Sequence, residues 1–305
     1  GHALRFEGSI TALATPFCAD GAVDFAAWAR LIDAQAMAGT SAVVVAGSTG
    51  EAATLEDDEY ERLLVAALRV ADGRLAVIAG TGLSGTTKTI AQTRRAAALG
   101  AAAALVVTPP YVRPTQAGLV AHYRAVADEG GLPVLLYNVP PRTGVDLQPD
   151  TVASLLDHPR IVGLKEARGD AARWAELAPL AASRFALLSG DDPTMVMAIR
   201  HGAVGVVSVA SNLVPATFAR IVADARAGRL DEAMARDARL APLYAFLGAA
   251  PNPIPLKAAL RALGVGAGLR LPLLPLEAAD AAELGAILDL VAGVEAEALN
   301  ARRAA

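Results

Sequence analysis

Lysine is rare in this chain. Positive charge is carried mostly by arginine, and lysine occurs only at Lys88, Lys165 and Lys257. Lys165 closes the apolar run Ile161-Val162-Gly163-Leu164, which places its amine at the end of a buried strand. Partial desolvation there disfavours the ammonium and supplies the free amine needed to attack a carbonyl and form an imine. The competing reading is a lysine neutralised by its neighbour Glu166, or a solvated loop charge. Lys88 and Lys257 read as ordinary charges on helix surfaces.

Tyr137 ends the apolar run before that of Lys165, and a phenol near a lysine can pass protons as an imine forms and breaks down. It reads equally as a core tyrosine with a satisfied hydroxyl. Gly47-Ser48-Thr49-Gly50-Glu51 offers backbone amides and two hydroxyls in a tight turn, which suits a small carboxylate or is simply a turn. Arg142, in Pro-Pro-Arg-Thr-Gly, can hold a carboxylate in bidentate fashion or pair with a surface aspartate. Gly80-Thr81-Gly82-Leu83-Ser84-Gly85 matches a dinucleotide-binding pattern literally. It follows the third strand, however, and no acidic residue near position 100 could hold a ribose. His122, His158 and His201 lack a serine or carboxylate arrangement to recruit them, no nucleophile elbow is present, and no Cys/His spacing resembles a zinc site.

These residues need a scaffold, and hydropathy supplies one. Short β-branched runs at 9–15, 41–46, 75–80, 103–108, 134–137, 161–165, 185–189 and 205–209 predict strands, several of them continuous enough to be buried on both faces. Helical periodicity fills 25–38, 55–71, 86–99, 116–127, 149–156, 171–182 and 193–200. Strand then helix, repeated eight times, predicts a (β/α)8 TIM barrel, with a doubly wound open sheet as runner-up. Residues 1–215 form the barrel core, and 216–305 form a C-terminal helical extension packed as part of the same unit. A barrel assembles its site just past the strands' C-terminal ends. Those positions hold Ser48, Thr49, Tyr111, Tyr137, Lys165, Gly190 and Ser208, an unusual concentration of hydroxyls and glycine around one lysine.

Composition narrows the class further. The 305 residues are 54% hydrophobic, ample for a large core, and the net charge of −4 with no basic cluster argues against nucleic acid or an anionic membrane as partner. The apolar windows 202–219 and 240–256 are broken by Asn212 and several prolines, so neither reads as a membrane helix. No signal peptide is expected, and the lone Cys18 points to a reducing, cytoplasmic location.

The motifs Gly-Ser-Thr-Gly-Glu at Gly47, Val-Ile-Ala-Gly-Thr-Gly at Val77, Tyr-Asn-Val-Pro-Pro-Arg-Thr-Gly at Tyr137, Gly-Leu-Lys-Glu-Ala at Gly163, Leu-Ser-Gly-Asp-Asp at Leu188 and Pro-Asn-Pro-Ile-Pro-Leu-Lys at Pro251 occur in one order. In these the chain resembles the dihydrodipicolinate synthase family, within the superfamily that includes N-acetylneuraminate lyase, from about Phe6 to the Arg270-Leu271-Pro272 region. The resemblance implies a Schiff-base lyase of diaminopimelate and lysine biosynthesis. Lys165 would form an imine with pyruvate, and Tyr137 would donate and accept protons in a relay with Ser48 and with Tyr111 of a neighbouring subunit. Thr49 would hold the pyruvate carboxylate, Val207 and Gly190 would line the pocket, and Arg142 would bind the carboxylate of L-aspartate 4-semialdehyde. No cofactor or metal is implied. The expected assembly is a homotetramer built from tight dimers.

Three departures from the family pattern stand out. Ser48 replaces the usual threonine. Arg168 replaces a small hydroxyl residue and is expected to bring a charge near the site. Asp57, Tyr60, Lys88 and Pro110 occupy the positions of the family's lysine-feedback pocket, and Lys88 places a positive charge where a carboxylate would hold the inhibitor's amine. Insensitivity to lysine is the expectation. The alternatives are a related pyruvate aldolase or keto-deoxy sugar-acid dehydratase, and a non-catalytic pyruvate-binding paralogue.

Overall fold

In a computed structural model, which describes residues 6–305, the eight apolar runs form parallel strands: β1 Gly8–Ala12, β2 Ala42–Val45, β3 Ala76–Gly80, β4 Ala103–Val107, β5 Val134–Asn138, β6 Ile161–Glu166, β7 Ala186–Ser189 and β8 Gly205–Ser208. Each pairs with its sequence neighbours, and β8 returns to pair with β1, so the sheet closes into a barrel rather than remaining an open doubly wound sheet. Closure depends on a close approach at the seam. Gly205 lies opposite Gly8, and a Cβ at Gly205 would fall 2.2 Å from the Gly8 carbonyl oxygen.

Alternation along the strands separates two cores. Ile10, Val44, Ile78, Leu105, Leu135, Leu188 and Val207 fill the barrel interior. Val43, Val45, Val106, Leu136, Leu164 and Leu187 face outward beneath the helices. The ring consists of α1 Phe25–Ala38, α2 Asp57–Ala71, α3 Thr86–Leu99, α4 Gln116–Glu129, a single turn α5 Pro140–Thr143, α6 Pro149–Leu155, α7 Ala171–Leu177, α8 Met195–Arg200 and α9 Pro215–Arg226. Its helices begin where local chemistry satisfies free amides. Asp24 accepts from the Ala27 amide, Thr115 from Gly118 and Asp170 from Arg173, while Glu56 and Glu59 form a reciprocal capping box on α2.

Most element boundaries shift by a residue or two from the hydropathy reading, and the larger differences have local reasons. The first strand stops at Ala12, because Asn212 accepts from the Ala14 amide and donates to the Ala12 carbonyl, turning the chain out of the ladder. The helix read over 171–182 ends at Leu177, and Pro179 takes the next turn into a tighter coil. The one read from 193 begins as a tight turn, Asp192–Thr194, before α8.

Beyond the ring come α10 Leu230–Arg239, α11 Ala241–Leu247, α12 Ile254–Ala262 and the long α13 Leu284–Ala304. The α13 helix is docked by Glu295, whose carboxylate accepts from the free amides of Ala216 and Thr217 at the start of α9. Among the described residues no helix is long and apolar enough to cross a membrane.

Candidate active site

Tyr137 and Lys165 are register partners on β5 and β6, so both side chains enter the barrel at the same height. The Lys165 Nζ lies 4.0 Å from the centroid of the Tyr137 ring, and the residue is only 6% exposed. Among the described residues no carboxylate pairs with it. Glu166, one residue on, points to the opposite face of β6. There it accepts from Asn138 Nδ2 at 3.0 Å and from Arg173 Nη1 at 2.9 Å. Neutralisation of Lys165 by Glu166 is therefore ruled out by the strand's own alternation. Burial pushes the Glu166 carboxyl up, against the opposing pull of Arg173.

Room for Lys165 is made by a missing side chain. A Cβ at Gly190 would sit 3.0 Å from the Lys165 Cε and 3.1 Å from its Cγ, so residue 190 must be small where the lysine stem passes. Val207 lies on the inner face of β8, buried among the apolar side chains of the barrel. The β8 end is held by Asp192, whose Oδ2 accepts from the Val209 and Ala210 amides at 3.2 and 2.8 Å. Burial pushes the Asp192 carboxyl up to about 6. Asp192 belongs to a motif visible in the sequence, yet nothing local there indicates that it buttresses a loop 17 residues away.

After β2 the chain makes the tight turn at residues 47–51, with Gly50 and Glu51 amides donating to the Gly47 and Ser48 carbonyls. Thr49 is buried, and its Oγ1 accepts from Asn252 Nδ2 at 2.9 Å. Ser48 is exposed. Arg142, on α5, donates from Nη2 to the Asn252 carbonyl at 2.9 Å. One asparagine from the C-terminal segment thus ties the turn after β2 to the turn after β5. Its role has no signal in the sequence beyond membership of the Pro251 motif.

Two charges are placed differently from the sequence reading. Lys257, read as a helix-surface charge, is 3% exposed on α12. Its Nζ donates to Glu51 Oε2 at 2.7 Å and to the Thr15 carbonyl at 2.6 Å, above the ring of Phe17. Burial pulls its ammonium below the ordinary lysine value, with Glu51 opposing. The available signal was helical spacing, since Pro253 and Leu260, one turn to either side, are also buried.

Arg168, expected to charge the site, turns outward instead, with Nη1 on Asp146 and Nε on Asp170, both at 2.9 Å. Burial works against the Asp146 carboxylate, but hydrogen bonds from Arg173 and Asn138 hold it below its ordinary range.

Tyr111 stands apart. It follows β4 in the left-handed region at φ 75°, and its ring is 91% exposed beside the exposed Val112. Among the described residues no side-chain hydrogen bond links Tyr137 to Ser48 or Tyr111. The chain by itself therefore brings together Lys165, Tyr137 and Gly190, and joins Thr49 to Arg142 through Asn252. Ser48 and Tyr111 remain at the rim.

Residues 5–290 match the model of the dihydrodipicolinate synthetase family. The 4-hydroxy-tetrahydrodipicolinate synthase of Stenotrophomonas maltophilia (strain K279a) is 58% identical over 293 residues, covering 96% of this chain and 99% of that protein. Among solved structures, the chloride-inhibited dihydrodipicolinate synthase of Acinetobacter baumannii, complexed with pyruvate, superposes with a TM-score of 0.91 at 41% identity, covering 94% of this chain and 99% of that one. A monomeric dihydrodipicolinate synthase variant superposes equally well, with a TM-score of 0.91 at 37% identity, covering 94% and 97%.

Proposed function

We propose, from the premise that the chain belongs to the dihydrodipicolinate synthetase family, that it condenses pyruvate with L-aspartate 4-semialdehyde. This is the 4-hydroxy-tetrahydrodipicolinate synthase reaction of diaminopimelate and lysine biosynthesis. The observation that carries the reading is the buried Lys165 amine facing the Tyr137 ring at 4.0 Å, with Glu166 turned away to Arg173.

An uncharged amine at Lys165 adds to the keto carbon of pyruvate and, with loss of water, forms an iminium. The iminium acidifies the adjacent methyl group, and loss of a proton yields an enamine that attacks the aldehyde carbon. The amino group of the second substrate then closes the ring onto the former keto carbon, and Lys165 leaves as the free amine. The steps move protons, and Tyr137, whose ring lies against the Lys165 amine, is the residue suited to donate and accept them. The chemistry needs no metal or organic cofactor, because the iminium is itself the electron sink.

Thr49 holds the pyruvate carboxylate, with Gly190 and Val207 shaping the pocket. Arg142 uses one nitrogen on Asn252, which leaves the rest of its fork for the carboxylate of the semialdehyde. Ser48 and Tyr111 complete the proton relay. Exposure of the Tyr111 ring supports its insertion into the site of a neighbouring subunit in a tetramer of tight dimers.

The chain is insensitive to lysine in this reading. Lys88, exposed on α3, sets a positive charge where a carboxylate would meet the inhibitor's amine, and Tyr60 is packed inward with its hydroxyl donating to the Gly80 carbonyl. Half-inhibition by sub-millimolar lysine would overturn that part. For the activity, turnover is measured with both substrates and a coupled reductase that consumes the cyclic product. Borohydride reduction in the presence of pyruvate is expected to leave a stable adduct on Lys165. Adduct without turnover would retain the imine and reject the semialdehyde.

A further inference from the structure

Imine chemistry leaves one buried ion pair at the barrel mouth without a task. Glu51 ends the turn after β2 in the left-handed conformation, φ 56° and ψ 41°, which residues other than glycine, asparagine and aspartate seldom adopt. Its carboxylate is gripped from a distant part of the chain. Oε2 accepts from Lys257 Nζ at 2.7 Å, and Oε1 accepts from the Arg270 amide at 3.2 Å. Lys257 also donates to the Thr15 carbonyl, while Thr15 Oγ1 donates to the Gly50 carbonyl at 2.7 Å. The Arg270 guanidinium continues the grip onto α2 and its approach, bonding Glu59, the Thr54 carbonyl and the Gly21 carbonyl. Two residues before Glu51, Thr49 is bonded by Asn252.

Apart from the Thr15 bond to Gly50, each of these ties comes from residues 252–270, outside the ring of barrel helices. A buried ion pair contributes little net stability over a well-packed apolar pair, since desolvation offsets the attraction. What it supplies is one geometry, because each charge has a single satisfactory partner. Both side chains are only 2% exposed, so water cannot substitute for either. The constrained object is the five-residue turn that carries Ser48 and Thr49.

We propose that Glu51 and Lys257 are positioning residues for pyruvate. Their ion pair holds the 47–51 turn in the one backbone conformation that presents Thr49 to the substrate carboxylate. The C-terminal segment is then a working part of the site, although none of its side chains reacts. This inference rests on the reading of Thr49 as the carboxylate holder.

The test compares Glu51→Gln, Lys257→Met, the double variant carrying both, and Thr49→Val. Two quantities are read for each: steady-state constants for both substrates, and the pyruvate concentration that half-saturates borohydride trapping on Lys165. Loosening the turn in Glu51→Gln should raise half-saturating pyruvate roughly tenfold in both assays, with a smaller change in the semialdehyde KM. Lys257→Arg, which keeps the charge, should recover part of that loss. A change confined to melting temperature would reflect stability alone and would reject the positioning role. If a single variant fails to fold, the double variant, with no unpaired buried charge, carries the same prediction. Half-saturating pyruvate within about twofold of the parent in the double variant, while Thr49→Val raises it, would overturn this inference and leave the site reading intact. No rise in Thr49→Val would instead remove the carboxylate assignment, and the inference with it.

Discussion

Lys165 and Lys257 lie on opposite sides of the same barrel mouth, both more than nine-tenths buried, and both sit against an aromatic ring, Tyr137 at 4.0 Å and Phe17 at 4.3 Å. They differ in what else surrounds the nitrogen. Lys257 has a carboxylate at 2.7 Å and a carbonyl at 2.6 Å, which engage its N–H groups and oppose the effect of burial on its ammonium. Among the described residues Lys165 has no such partner, because the one carboxylate adjacent in sequence faces the other side of the strand. Residue type and burial are shared, and the second partner separates the proposed nucleophile from the proposed clamp. The same contrast extends to the supporting structure. The Lys165 side is built within the barrel strands, while the Lys257 side depends on a helical segment that reaches back over the mouth.

The comparison is tested most sharply at the nucleophile. Lys165→Ala should keep the fold, since no ion pair is lost, and should lower kcat by at least ~10^3-fold. Parent-like turnover with an unchanged circular dichroism spectrum would put the imine elsewhere.

The opposite pattern is expected across the mouth. Lys257→Ala strands a buried Glu51 and should cost about 3–5 kcal/mol of stability, measured by denaturant unfolding. A loss under about 1 kcal/mol would mean that the pair is solvated in practice.

A third variant probes the β8 wall, where the carboxyl titrates instead of the amine. Asp192 is raised from 3.8 to about 6 in the folded protein, so the folded state prefers its protonated form. Its contribution is fully present below about 4 and is lost as pH rises through about 6. Stability of the parent relative to Asp192→Asn should therefore increase from pH 7 to pH 4 by roughly 2–3 kcal/mol, following 1.4 kcal/mol per pKa unit. Parallel stability curves would show that the buried carboxyl titrates normally.

The smallest effect is expected behind Lys165. Arg168→Thr removes a partly exposed charge already matched by Asp146 and Asp170, and should change stability by about 1 kcal/mol or less with kcat unchanged. A tenfold drop in kcat would mean that the charge reaches the site after all.

Much of this molecule is local in origin. Strand and helix order, the run that delivers Lys165 and the tyrosine one strand earlier all follow from periodicities that a few neighbouring residues express. The opposite facing of Glu166 was also implicit, since consecutive strand residues alternate faces. The Gly190 requirement could be suspected from its place after a strand, but the stem it accommodates belongs to another strand.

The ties across the mouth had no local expression. Glu51 meets Lys257 across 206 residues and the Arg270 amide across 219, and Asn252 meets Thr49 across 203. A charged residue in a helix reads as solvated until something removes the water, and that is decided by packing against a distant element. The sequence by itself determined the order of strands and helices and singled out Lys165 at a strand end, because hydrophobic alternation is written residue by residue, whereas closure of the sheet came only with β8 pairing to β1. Tertiary structure alone decided which buried charges meet, because burying a charge is tolerable only beside its partner, and that partner is assigned by the fold.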